Sequence, residues 1–482
     1  MMYDVVVIGG GPAGMMAAGR AGQLGQSVLL LEKNKDLGVK LLMTGKDRCN
    51  VTHFSEDKNE LIEAYGKEGK FLYSAFAKFG NKEVVDFFEN RGVKLKVERG
   101  NRVFPVSDKS SDIRWALLNF LKKHEVKIET GATVSGIISG DILDGNNSES
   151  FQKTIKGVVL TSGEKVKAKK YIVTTGGLSY PATGCTGDGY GWAEKLGHKI
   201  VKPRPALSPI VLTDWFAENL EGLSLKNIEL SIYTDNNPPQ APACPVGRDQ
   251  SKKTGKIDSK FGEMLFTKNG ISGPVVLDLS KKVGELLESH SVIPLRRSYA
   301  GQEATRDKLK ITGDKFYNTR SNQKSNNNIA LKLDLKPALD FKKLDQRIQR
   351  DFQQGNNKQF KNILDRLLPK KLIPVVIKLS KINSDKQVNL ITREERKRLV
   401  RLLKEFPLHP KRLVGFGKAI ITTGGVDLKE VNSKTMQSRL VNNLYFAGEV
   451  LNLDGPTGGY NLQVAWSTGY VAGDSSVQSY VE

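Results

Sequence analysis

The segment from Asp4 to Gly14 reads Asp-Val-Val-Val-Ile-Gly-Gly-Gly-Pro-Ala-Gly, and a second apolar run, Val28–Leu31, ends in an acid, Glu32. Val5–Ile8 is a buried-strand run bounded by glycine, Ala13–Leu24 has the small residues of a closely packed helix, and Ser27–Leu31 returns as a parallel strand. In that frame Gly9 permits the tight turn, Gly11 lets backbone approach a pyrophosphate, and Gly14 lets the helix lie close on the strand. Pro12 and Ala13 open the helix, whose N-terminus turns its partial positive charge toward the phosphates. Glu32, with Lys33 behind it, stands where an acidic side chain takes the hydroxyls of an adenosine ribose. Strand, glycines, helix, strand and acid in register predict a dinucleotide-binding βαβ unit.

Three further glycine clusters point to FAD rather than NAD. Leu444–Val450 is a short strand followed by Gly448 and Glu449, an arrangement that brings a carboxylate to ribityl hydroxyls. Gly458-Gly459-Tyr460-Asn461-Leu462-Gln463 leads into an apolar helix. Amides at such a helix start would face the flavin N1 and C2 carbonyl and stabilise the negative charge of the reduced ring. Thr175, Gly176 and Gly177 end another strand, and Asp188, between Gly187 and Gly189, opens a new helix; both suit close cofactor approach.

A chain of 482 residues has room for two or three domains. After the N-terminal unit, amphipathic helices are predicted at Asn81–Arg91 and Asp112–His124, and strands at Lys127–Ile138 and Gly157–Thr175 with a hairpin turn at Ser162-Gly163. Short β-prone pieces follow Pro203, separated by polar stretches at Asp235–Ser259 and Arg320–Asn328 that read as loops, as does Asp144–Lys153. Residues 337–409 turn helical, leucine-rich and basic. After Gly415 the strand-and-glycine style returns. The economical reading is α/β: a discontinuous nucleotide-binding domain, residues 1–202 and 412–482, interrupted by a β-rich domain, 203–336, and a helical domain, 337–411.

The net charge is +22, and residues 340–412 hold 20 Lys or Arg against 8 Asp or Glu. Such a surface attracts nucleic acid, acidic partners or an anionic membrane surface. The region lacks interleaved aromatics and matches no nucleic-acid module, so a solvated helical face is the plainer reading. No apolar run approaches the length of a membrane span. The first strand starts at Tyr3, leaving no room for a cleaved signal peptide. Three cysteines, Cys49, Cys185 and Cys244, have neither disulfide nor metal spacing and fit a reducing, cytoplasmic setting. Five scattered histidines give no metal site.

The chain resembles the BaiN-like, or aminoacetone oxidase-type, family of FAD-dependent oxidoreductases. The resemblance rests on GGGPAGMMAA at the N-terminus, VKLLMTGKDRCNVTH (Val39–His53), TTGGLSYPATGCTGDGYGWAEKLGH (Thr174–His198), GEMLFTKNGISGP (Gly262–Pro274), ITTGGV (Ile421–Val426) and FAGEVLNLDGPTGGYNLQVAWSTG (Phe446–Gly469). It implies a Rossmann-like FAD-binding domain interrupted by a β-barrel-like domain and a small helical domain. It also implies pyrophosphate contacts at Gly9, Gly11, Ala13 and Gly14, and ribose contact at Glu32. Lys40, Thr44, Arg48 and Asn50 would line a loop along the pyrophosphate and flavin, and Val134 would meet adenine through its backbone. Gly448, Glu449, Gly459, Asn461, Leu462 and Gln463 would surround the ribityl chain and flavin. The chain departs from the family at Asp47, commonly glycine, and at Lys268, often histidine.

The catalytic residues are not evident. Cys49 and Cys185 read as packing residues; His53, Tyr180 and Tyr460 are possible proton donors for which structural roles are the simpler reading. Three activities fit: NAD(P)H-dependent reduction of an activated double bond or similar small-molecule acceptor through flavin N5; oxidation of a small amine by oxygen; or an FAD-stabilised RNA- or protein-binding module that works through its basic helices. No second Gly-x-Gly-x-x-Gly follows, so NAD(P)H would bind only transiently, over the flavin.

Overall fold

A computed structural model describes residues 2–45, 47–142, 152–234, 255–289 and 329–477. The expected loops at Asp144–Lys153 and Asp235–Ser259 fall largely outside the described residues, as do all of Arg320–Asn328 and Cys244. The chain divides into two compact units, Met1–Ala206 with Gly415–Glu482, and Leu207–Val414.

The first unit is built on strand β1 (Met2–Ile8), helix α1 (Pro12–Gln23) and strand β2 (Val28–Glu32). β1 pairs in parallel with β2, Val5 opposite Val28 through Ile8 opposite Leu31. Val5, Val6, Val7 and Leu30 are fully buried, as strands covered on both faces must be. A small antiparallel sheet follows, from β3 (Thr52–His53), β4 (Leu95–Glu98) and β5 (Arg102–Pro105), with α2 (Asn81–Glu89) packed between. Helix α3 (Ser110–Lys123) covers α1 with Phe120, against which a side chain at Gly19 would collide.

The strand expected over Lys127–Ile138 is two strands. Gly131, at φ +70°, breaks it into β6 (Lys127–Thr130) and β7 (Val134–Ile142). β7 pairs antiparallel with β8 (Gln152–Leu160), which turns through Gly163 into β9 (Lys165–Val173). The sheet order is β6-β2-β1-β9-β8-β7. α4 (Asp188–Lys195) and β10 (Ile200–Ala206) complete this part of the unit.

The second unit is a seven-stranded antiparallel sheet in the order β16-β15-β12-β13-β14-β11-β17. Its members are β11 (Ile210–Leu212), β12 (Ser224–Thr234), β13 (Gly255–Thr267), β14 (Gly270–Ser272), β15 (Ile329–Asp334), β16 (Phe406–Leu408) and β17 (Pro410–Leu413). The two edge strands are consecutive in the chain, so His409 brings both edges together. β13 starts inside the stretch expected as a loop, because it pairs with β12 as far as Thr234 opposite Gly255. Helix α5 (Pro274–Ser289) packs on β13 and β17 and α8 (Arg393–Lys404) on β15 and β16, while α6 (Phe341–Gln354) and α7 (Ile373–Ser380) pack against α8. Leu344, Ile348, Leu399 and Leu403 share one core with Leu230, Ile232, Leu331 and Leu333.

The chain then re-enters the first unit. β18 (Ile421–Val426) pairs with β10, β19 (Leu444–Phe446) adds in parallel to β9, and α9 (Tyr460–Ser475) packs along α1. Among the described residues no helix is long and apolar enough to cross a membrane.

Candidate functional site

The first glycine turn has the geometry its sequence predicts. Gly9 lies at φ +109°, where a side chain would meet the Thr174 carbonyl at 2.6 Å. A Cβ on Gly14 would stand 1.8 Å from the Gly9 carbonyl oxygen, so helix and turn touch backbone to backbone. Gly11 differs: nothing lies within 4 Å of where its Cβ would be. It caps α1 without any side-chain hydrogen bond, and Pro12 removes one donor at the next position. The helix end therefore presents free amides to open space, as an anion site requires.

α9 repeats the feature. Its cap, Gly459, at φ +100°, makes no side-chain hydrogen bond and packs on Thr52, whose carbonyl carbon a Cβ would approach to 2.4 Å. The side chains around it turn inward. Asn461 Nδ2 donates to the Gly455 and Pro456 carbonyls and its Oδ1 accepts from the Gly455 amide. Buried Gln463 accepts from Thr52 Oγ1 and donates to Ser467 Oγ at 2.8 Å. Half-buried Leu462 packs against the core. What α9 offers a ligand is backbone.

α1 and α9 run in parallel: a Cβ on Gly469 would meet the Ala13 carbonyl at 2.4 Å, and one on Gly473 the Ala17 carbonyl at 2.3 Å. With four residues matching four, α9 overshoots α1 at the N-terminal end by eight residues, about 12 Å at 1.5 Å per residue. The two helix ends, each led by a glycine that supplies no side-chain cap, thus point the same way, offset along their common axis.

A polar network gathers around Glu449. Glu449 Oε2 accepts from Lys40 Nζ at 2.8 Å; its Oε1 accepts from Ser179 Oγ at 2.9 Å and the Thr422 amide at 2.8 Å. Lys40 also donates to Ser179 Oγ at 2.9 Å. Burial opposes the Lys40 charge, yet Glu449, chiefly, holds its pKa above the ordinary lysine value. Gly177 admits this cluster, because a Cβ there would lie 2.5 Å from Thr422 Oγ1. Gly448, at φ +77°, donates its amide to Thr468 Oγ1 and lies against Ala13.

Glu32 is buried. Its Oε2 accepts from the Gly10 amide at 2.6 Å and its Oε1 from the Asn34 amide at 2.8 Å, which leaves one lone pair on each oxygen for further donors. Lys33 Nζ bonds Asp188 Oδ2 at 2.7 Å, and Asn34 Nδ2 donates to the Thr183 carbonyl, so the stretch after Gly177 is tied to the end of β2. Gly176, at φ +71°, faces Cys185. Thr175 Oγ1 and Asn50 Oδ1 are buried without a hydrogen-bond partner, the signature of a polar ligand site. Val134, buried, opens β7 opposite Leu160.

Arg48 and Thr44 are occupied locally instead. The Arg48 guanidinium is paired with Glu98 and, at 2.6 Å, with Asp108, and lies 4.2 Å over the Phe104 ring. Thr44 Oγ1 donates to the Leu41 carbonyl. Asp47 sits at φ +65°, which explains why glycine suits that position; its carboxylate is exposed and its carbonyl accepts from the Ser110 amide. Lys268 is an exposed residue on the turn between β13 and β14. The network also contains two residues that the glycine patterns did not mark, Ser179 and Thr422. Both fall within the quoted motifs, but Ser179 is 270 positions from Glu449 and 243 from Thr422.

His53 and Tyr460 stack, centroids 4.5 Å apart, and Tyr65 donates its hydroxyl to the Tyr460 carbonyl at 2.9 Å. Burial lowers the His53 pKa, outweighing the opposing influence of Glu60 and the Gly458 backbone. Buried Cys49 has its thiol pushed up to about 12, so it is a packing residue and no nucleophile. Tyr180, at φ +52°, donates its amide to the Phe416 carbonyl.

A family model described as the HI0933-like protein Rossmann domain matches residues 3–475. The chain is 27% identical over 483 residues to the 3-dehydro-bile acid delta(4,6)-reductase of Clostridium scindens, covering 99% of this chain and 100% of that one. It is 28% identical over 467 residues to the ribosomal RNA dihydrouridine synthase of Haemophilus influenzae, covering 96% of each. The protein of the same name from Escherichia coli is 27% identical over 472 residues, 97% of this chain and 96% of that one.

Proposed function

The chain belongs to the HI0933-like Rossmann family of FAD-dependent oxidoreductases, and we propose that it reduces a carbon–carbon double bond activated by a neighbouring carbonyl. The observation that carries this reading is the pair of parallel, uncapped helix ends, α1 at Gly11 and α9 at Gly459. The first suits the FAD diphosphate. The second suits the pyrimidine end of the ring, where helix amides favour the extra charge of the reduced form and so its capacity to give hydride. Glu32 would take the ribose, and Glu449, held by Lys40 and Ser179, the ribityl chain. FAD, when bound, supplies the redox chemistry; the protein orients it and excludes competing reactions. The names of the relatives point the same way: one denotes reduction at the 4 and 6 double bonds of a 3-oxo bile acid, the other a uridine that has gained two hydrogens.

Nicotinamide fits as a transient electron donor. The buried, free Cys49 and Cys185 agree with a reducing, cytoplasmic setting. Among acceptors, the charge of +22 favours RNA as a second, more specific reading. The test is anaerobic incubation of FAD-loaded protein with NADH or NADPH and either a 3-oxo-4,6-diene steroid acid or ribosomal RNA. Mass spectrometry should find one acceptor heavier by hydrogens in pairs. Peroxide from an amine in air, with neither acceptor reduced, would contradict the proposal.

A further inference from the structure

Trp215 lies in the second unit, two residues past Thr213, and 49% of its surface is exposed. Its neighbour Phe216 is buried against Phe406, which fixes the loop and leaves the indole outside. An exposed tryptophan on a rigid anchor is a costly feature to leave open to water. The Lys378 ammonium stands 3.9 Å above this ring.

Lys378 belongs to a stripe. Lys370 and Lys371 lie on the short 3-10 turn Lys370–Leu372 that leads into α7, and Lys381 follows its last residue. All four are exposed, and among the described residues none has a carboxylate partner. Lys371 instead donates to the Glu221 carbonyl at 2.9 Å, which ties α7 to the Trp215 loop. The opposing charges on that loop are Asp214, held by His409 at 2.7 Å, and the exposed Glu218 and Glu221. On the opposite side of α7, Ile373, Val375 and Val376 are buried in the core, so the helix itself turns Pro374 and Lys378 outward.

We infer that this face docks a single-stranded segment of RNA, one base stacking on Trp215 and the phosphates running along Lys371 and Lys378. The inference rests on the RNA reading above and adds where the polymer is held. An aromatic platform beside unpaired cations is what sequence-tolerant single-strand binding requires: every base has a face to stack, and every phosphate a charge to meet. Lysines bound to carboxylates would release no counterions; these four are free to do so.

The experiment uses the full-length, FAD-loaded protein and a fluorescein-labelled single-stranded ribosomal RNA fragment, read by anisotropy across a salt series. Trp215→Ala should weaken binding about 5- to 150-fold. Lys371→Glu with Lys378→Glu should weaken it and flatten the salt dependence, by about 1.4 in the slope of log affinity against log salt. The control pair Lys342→Glu with Lys358→Glu, exposed elsewhere in the second unit, should change binding far less. FAD content and thermal melts confirm that each variant is folded. Equal loss in the control and the Trp215 variants overturns the docking face while leaving RNA as the substrate. Displacement of the RNA by polyglutamate at equal charge reassigns the face to an acidic protein and also overturns it. No RNA binding by the wild type overturns the RNA reading itself.

Discussion

Gly11 and Gly14 stand three residues apart on the same turn, and the structure gives them opposite tolerances. Gly14 touches the Gly9 carbonyl; Gly11 faces open space at φ −76°, a conformation any residue adopts. Gly14→Ala should therefore lower stability by about 1–3 kcal/mol, an overpacking cost. Gly11→Val should leave the melting temperature of FAD-free protein unchanged and abolish FAD retention, because its side chain fills the approach to the α1 amides. Calorimetry of the FAD-free protein and flavin release on dilution check the pair. Equal melting temperatures for both variants would contradict the assignment.

His53 gives a pH prediction. Its folded-state pKa lies below the ordinary 6.5 because burial disfavours the cation. The unfolded chain therefore binds the proton more readily, so this contribution to stability is complete above the unfolded value and declines as pH falls through 6.5 toward the depressed folded pKa. His53→Gln should flatten that limb, read from urea midpoints at about pH 5.5 and about pH 7.5. At this scale the glycines and Glu32 were legible in the sequence because their roles are local to one turn. Arg48 was not: its partners, Glu98 and Asp108, come from 50 and 60 positions away, and only the folded β4 and β5 bring them to it. The same holds for Lys40 and Glu449, 409 positions apart.

At the scale of elements, the crossing of α1 and α9 sets the site. Ala13 and Ala17 face Gly469 and Gly473, so the two helices meet backbone to backbone and their N-termini keep a fixed offset. Gly469→Ala or Gly473→Ala must push the helices apart. Each should cost about 1–3 kcal/mol and weaken FAD binding although neither residue is placed beside the cofactor. Thermal melts with and without FAD separate the two effects. A variant that loses stability but keeps full FAD affinity would show that the offset does not matter. The sequence marked α9 as an apolar helix with a glycine start, yet the partner for its glycines lies some 450 residues earlier and no local pattern names it. The single strand expected over Lys127–Ile138 failed for a local reason, a glycine at positive φ. β13 outran its expected bounds for a tertiary one, the pairing with β12 that stabilises a polar stretch with little β propensity.

For the whole molecule, the alternation of style along the chain follows the division into two compact units, because buried parallel strands and glycine turns differ in composition from the half-exposed antiparallel strands between them. Composition also flagged the basic surplus of residues 340–412, but not its arrangement. The helices there sit on the same core as the sheet of the second unit, and Trp215, more than a hundred residues before, supplies the aromatic that the basic stretch itself lacks.

A bound flavin that delivers hydride to a conjugated double bond is reoxidised by the acceptor itself, without oxygen. Single-turnover stopped-flow absorbance, with FAD-loaded protein reduced beforehand and mixed without oxygen against the steroid acid or ribosomal RNA, tests it most directly. One of the two should restore the yellow flavin band within the mixing experiment and leave with two more hydrogens. A flavin that stays bleached with both acceptors, and recovers only when oxygen is admitted, would contradict it.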